Sequence, residues 1–78
     1  MKRYLIYYNF SIKDPKDDSI VQSDKGTFEM EFENKGAIDG DKIRSKIFKI
    51  AEEYRSKANY YVEHHNYYRI EEISWEGE

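Results

Sequence analysis

The chain has no cysteine, one proline, four glycines and no apolar run long enough to cross a bilayer. The missing cysteines exclude disulfide staples, thiolate nucleophiles and cysteine-based zinc sites. The few glycines form neither a P-loop nor a dinucleotide-binding turn, and no GxSxG element is present. Serine and threonine are scarce, and none has a base partner at a persuasive spacing. Short apolar stretches exclude a membrane helix, which needs about 18 consecutive apolar residues. Lys2-Arg3 ahead of Leu5-Ile6 does not read as a signal peptide, because the stretch is too short and too aromatic and no small-residue cleavage site follows. A non-enzymatic, cytoplasmic protein without cofactor or membrane contact is the expectation.

Aromatic residues are abundant. Eight Tyr, four Phe and one Trp make up 17% of the 78 residues, and each can bury about 150–250 Å². A chain of this length forms one domain, 1–78, and buries only about 60% of its unfolded surface, so these rings must supply much of the core. Charged residues are 37% of the chain and the net charge is −3, which gives no global case for nucleic-acid binding. Residue types with AT-rich codons far outnumber those with GC-rich codons, which points to a low-GC genome.

The apolar period changes along the chain. Tyr4, Ile6, Tyr8, Phe10 and Ile12 alternate with Leu5, Tyr7, Asn9 and Ser11, so a first strand carries apolar groups on both faces and is central. Residues 13–26, with Asp14-Pro15, Asp17-Asp18-Ser19 and Asp24-Lys25-Gly26, read as a long polar hairpin loop, with Ile20-Val21 as a candidate strand stub that extends the hairpin. Phe28, Met30 and Phe32 then alternate with Thr27, Glu29, Glu31 and Glu33. Asp39 or Asp41 caps a helix expected from about 41 to 60, with Ile43, Ile47, Ile50, Tyr54, Ala58 and Tyr61 on one stripe. A last strand, Tyr67 to Trp75, breaks its alternation between Ile70 and Ile73, so either the strand is short or a bulge lies near Glu71-Glu72. Residues 76–78 form an acidic tail. The prediction is an α+β domain of ββαβ topology, a three-stranded antiparallel sheet of order 2-1-3 with one helix packed on one face.

Two surfaces follow. Glu29, Glu31 and Glu33 project side by side about 7 Å apart. With Tyr7, Glu71 and Glu72 they form a candidate partner-binding face, an aromatic anchor with a charged rim. The ordinary reading is solubility and protection of an edge strand. The helix carries Lys42, Arg44, Lys46, Lys49 and Arg55, an alternative nucleic-acid-binding surface, whose ordinary reading is a solvated helix face. His64-His65 point about 100° apart on a helix and do not form a metal pair. Asp14, Asp17, Asp18 and Asp24 lack EF-hand spacing. No metal site is predicted. An edge strand or the apolar part of the open sheet face could also pair with its copy in a homodimer.

The opening Lys2-Arg3-Tyr4-Leu5-Ile6-Tyr7-Tyr8-Asn9-Phe10-Ser11 and the close Tyr68-Arg69-Ile70-Glu71-Glu72-Ile73-Ser74-Trp75 resemble small phage- and prophage-encoded accessory proteins of low-GC Gram-positive bacteria. The chain departs from that group in lacking a Gly-rich middle and in its longer helix. The resemblance implies a stoichiometric binder of a host protein complex, of the kind that includes anti-CRISPR inhibitors of host defence. It carries over no residue role.

Overall fold

Residues 1–73 are described by a computed structural model, in which the elements run β1 (Lys2–Asp14), β2 (Ser19–Phe32), a single 3₁₀ turn (Lys35–Ala37), α1 (Gly40–Glu53) and β3 (Tyr61–Glu72). The three strands form one antiparallel sheet in the order β2-β1-β3. The α+β ββαβ arrangement and the central place of β1 are as the alternation predicts. Tyr4, Ile6, Phe10 and Ile12 from β1 meet Phe32 and the helix residues Ile43, Ile47 and Ala51 in the core. Each fully buried aliphatic of this set contributes about 1.5–3 kcal/mol of transfer energy.

Residues 13–26 are not a long loop. β1 and β2 run to Asp14 and Ser19, and only residues 15–18 form the turn. The turn closes through the Asp18 amide, which donates to the Asp14 carbonyl at 2.8 Å. Asp18 takes φ 57°, a left-handed conformation that Asp tolerates. Asp14 accepts from the Lys16 amide, and Asp17 accepts from both the amide and the hydroxyl of Ser19. The Ser19 hydroxyl, then its amide, holds the Asp17 carboxyl below its usual range. Residues 19–25 are exposed on both faces because no helix covers them. Burial therefore gave that half of the strand no apolar alternation to display.

The helix is shorter than its spacing suggests. Asp39 caps it by accepting from the amides of Asp41 and Lys42. It ends at Glu53, and the Tyr54 amide turns back to the Ala51 carbonyl. Ala58 lies in the following turn and Tyr61 opens β3 opposite Lys13. Cross-strand pairing thus overrides the helical period of those two residues. β3 also starts earlier than predicted. Its bulges fall not at Glu71-Glu72 but at Tyr68, between the Tyr7–Arg69 and Tyr8–Tyr67 pairs, and at Glu63, between Ser11–His64 and Ile12–Val62. Trp75 and the acidic tail 76–78 lie outside the described residues.

The molecule measures 51 × 17 × 17 Å. A helix of 14 residues spans only about 21 Å. It packs on β1 and β3, so the opposite sheet face is uncovered by any described element.

Candidate interaction surfaces

The uncovered face is built by register. Leu5 and Tyr7 of β1 stand opposite Glu29 and Thr27 of β2, and opposite Glu71 and Arg69 of β3. The bulge at Tyr68 sets Tyr68 and Arg69 together against Tyr7, since a bulge places two residues across from one. The Tyr7 and Tyr68 rings lie 6.1 Å apart at 50°. The Tyr7 hydroxyl donates to Glu71, whose other oxygen accepts from Arg69 at 2.9 Å. The Arg69 guanidinium lies 5.2 Å from the Tyr7 ring centre. The hydrogen bond to Glu71, followed by desolvation, raises the Tyr7 phenol above its ordinary pKa. Tyr7 is thereby fixed as a neutral donor, and Tyr68, 57% exposed, stands beside it.

Toward the hairpin the same face becomes a polar ladder. His64 Nε2 lies 2.9 Å from Asn9 Oδ1, and the Ser11 hydroxyl donates to Glu63 at 3.1 Å. Lys13 bridges Asp18 and Glu63 at 3.4 and 3.5 Å. His65 points to the other side, edge-on to Phe48 at 5.1 Å. The neighbouring histidines thus face apart, and no group of metal-ligating residues forms among the described residues.

Tyr7, Glu29, Glu31 and Glu71 come together on this face. Glu33 lies past the last residue of β2, outside the ladder. Glu72 pairs with Tyr4, so it belongs to the helix side, where it meets Lys2 at 3.5 Å. The carboxylates are not an unopposed row. Arg3 reaches Glu29 at 3.7 Å and stands opposite Glu31 in the ladder. By strand parity Glu29, Glu31, Glu63 and Glu71 share the face with Arg3, Lys13, Lys25 and Arg69. Sequence reasoning placed Asn9 on this face of β1 but missed Tyr68, Arg69 and His64 of β3. The bulges that bring them onto the face leave no mark in a period-2 pattern.

The helix cations divide into two flanks. Arg44 pairs with Asp41 at 2.7 Å and lies over Tyr67, while Arg55 pairs with Glu52 and donates to the Tyr60 carbonyl. Lys42, Lys46 and Lys49 take the other flank. With Met30, Asp41 and Ser45 they line a shallow groove of about 570 Å³. Lys46 Nζ sits 4.9 Å from the Phe28 ring centre. Among the described residues these three lysines make no ion pair. Comparison of the chain with protein-family models, characterised proteins and solved structures finds no significant match.

Proposed function

We propose that this protein is a non-enzymatic binding module that docks on a protein partner through the uncovered sheet face, with Tyr7 and Tyr68 as the anchor and Glu29, Glu31 and Glu71 in the rim. The observation that carries this reading is the Tyr7–Tyr68 pair, locked by Glu71 and Arg69 on a sheet face that no described element covers. Aromatic residues held in place before binding lose little side-chain entropy on association, which is how interface hot spots work. The even mixture of charges on the face argues for an interface of matched charges rather than for mimicry of a phosphate chain. The resemblance of the chain's two ends to small prophage proteins supplies the partner class, a host defence or nucleic-acid-handling complex in the bacterial cytoplasm.

The test is capture of partners from a nuclease-treated low-GC Gram-positive lysate by the wild-type protein, by Tyr68→Ala and by the Glu29→Lys, Glu31→Lys double variant. A protein complex retained by the wild type and lost by Tyr68→Ala is the expected result. Equal capture by all three proteins would remove the sheet face from consideration.

A second reading rests on a separate observation. The row of Lys42, Lys46 and Lys49, without ion pairs among the described residues, runs beside the half-buried Phe28, and cations next to aromatics suit single-stranded nucleic acid. Binding of a labelled oligonucleotide that weakens steeply with salt, and that Lys46→Glu abolishes, is its signature. No binding at low salt would dismiss it.

A further inference from the structure

The free edge of β2 is unusual for its regularity. β2 is an edge strand, and among the described residues nothing pairs with its outer side. It contains no proline, which would block an edge. Its pairing with β1 shifts once, at Val21, and then runs without a break from Gln22 to Phe32. β3, the opposite edge, is interrupted by both of its bulges, and the outward Tyr67 amide is taken by the Asn66 side chain.

The direction of the free groups on β2 can be read from one bond. The Lys25 amide donates to the Asp24 side chain at 2.8 Å rather than to β1. Lys25 is therefore among the residues whose backbone faces outward, and in a regular antiparallel strand so are Ser23, Thr27, Glu29 and Glu31. Thr27 is the midpoint of the unbroken stretch.

We infer that β2 pairs antiparallel with β2 of a second copy, on a two-fold axis through Thr27, to make a continuous six-stranded sheet. In that register the outward backbone groups of Thr27 meet those of the partner's Thr27, and Lys25 of each copy stands opposite Glu29 of the other. The side chains of facing pairs share one face of the sheet, so the contact is reciprocal and self-complementary, as a closed two-fold interface requires. Charge disfavours three other placements. An axis at Lys25 sets lysine against lysine. An axis at Glu29 sets glutamate against glutamate, and one at Met30 sets Glu29 against Glu31. Lys25 makes no ion pair among the described residues, so it is available to the partner. Threonine pairs and opposite charges are both favourable directly across a ladder. On the helix side, Phe28 falls opposite Gly26 of the other copy, over which that copy's Tyr8 ring lies. An interface made mainly of one strand is at the small end of specific contacts, so association is concentration-dependent.

The experiment is sedimentation equilibrium over a wide concentration range on the full chain, with circular dichroism to confirm folding. The proteins compared are the wild type, Lys25→Glu and the swapped double variant Lys25→Glu, Glu29→Lys. A monomer–dimer equilibrium in the wild type is expected. Lys25→Glu should weaken it by on the order of tenfold or more, because two attractive cross-strand pairs become repulsive. The swap should restore it. A wild type that stays monomeric at millimolar concentration overturns the inference, as does a dimer indifferent to Lys25→Glu. The swap alters Glu29 of the sheet-face rim, so that reading is tested separately by Tyr68→Ala, which leaves Lys25 and Glu29 in place.

Discussion

Tyr8 lies across Gly26 in the β1–β2 ladder, with its hydroxyl 2.8 Å and its Cζ 3.0 Å from the point where a Cβ on Gly26 would stand. The ring is held there by Phe28 at 5.3 Å and by near-parallel stacking on Phe10. A side chain at 26 has to displace it. Gly26→Ala is expected to lower stability by about 1 kcal/mol through overpacking, read by urea denaturation. A neutral or stabilising outcome would mean that the ring swings aside freely.

Tyr4 is 2% exposed, and its hydroxyl has no hydrogen-bond partner among the described residues. A buried polar group left unpaired costs about 1–3 kcal/mol. Tyr4→Phe removes the hydroxyl and keeps the ring beside Phe32, whose centre lies 6.1 Å away. The denaturation midpoint should rise by the equivalent of about 1 kcal/mol with an unchanged m-value. A fall would show that the hydroxyl is hydrogen-bonded in solution.

Ile47 is fully buried at the middle of the helix–sheet contact. Ile47→Ala should cost about 2–5 kcal/mol, comparable with the roughly 5 kcal/mol total of a small domain. That variant is expected to populate the unfolded state, seen as lost near-ultraviolet circular dichroism. Ile47→Val, at about 0.5–1.5 kcal/mol, keeps the fold and makes the cost measurable. Equal stability of Ile47→Val and Ile47→Ala would contradict the burial.

Tyr7 yields a prediction in pH. Its pKa is raised above 10.0, first by the hydrogen bond to Glu71. The folded state thus holds the phenolic proton more tightly than the unfolded chain does. The stability this supplies is complete below the unfolded value and is lost as pH rises through the folded one. Tyr7→Phe lacks it at every pH. The difference in Tm between wild type and Tyr7→Phe should therefore be constant near neutrality and shrink above pH ~10. A gap that does not change across that window would show that the Tyr7–Glu71 bond makes no proton-linked contribution.

Much of this fold can be read from side-chain periodicity, because the core lies where the alternation is cleanest. Tyr4, Ile6, Phe10 and Ile12 mark β1, Phe28, Met30 and Phe32 mark the covered half of β2, and Ile43 and Ile47 mark the helix. The misread parts share one physical property: nothing apolar covers them, or their pairing carries a bulge. Residues 19–25 are strand by backbone pairing alone, so Ser23, Asp24 and Lys25 keep the composition of a turn. Glu63, His64 and Asn66 pair across a polar face, where alternation has no core to report. Tyr54, Ala58 and Tyr61 keep a helical spacing after the helix has ended, because β1 recruits Tyr61 into the ladder. Of the candidate surface, Tyr7, Glu29, Glu31 and Glu71 were legible as one face. Their charge compensation by Arg3 and Arg69 was not, since it depends on register.

The central position of β1 also governs how the molecule is made. β1 is synthesised first, yet its second neighbour, β3, and the helix that covers Tyr4 and Ile6 come much later in the chain. A nascent chain can close the β1–β2 hairpin early, because that contact is local. Until residues 61–72 have left the ribosome, β1 keeps one open edge and a bare apolar face. Long-range pairing of this kind is slow and exposes sticky intermediates. Translation speed through α1 and β3, and the availability of chaperones during it, should therefore decide how much of this protein reaches its folded state.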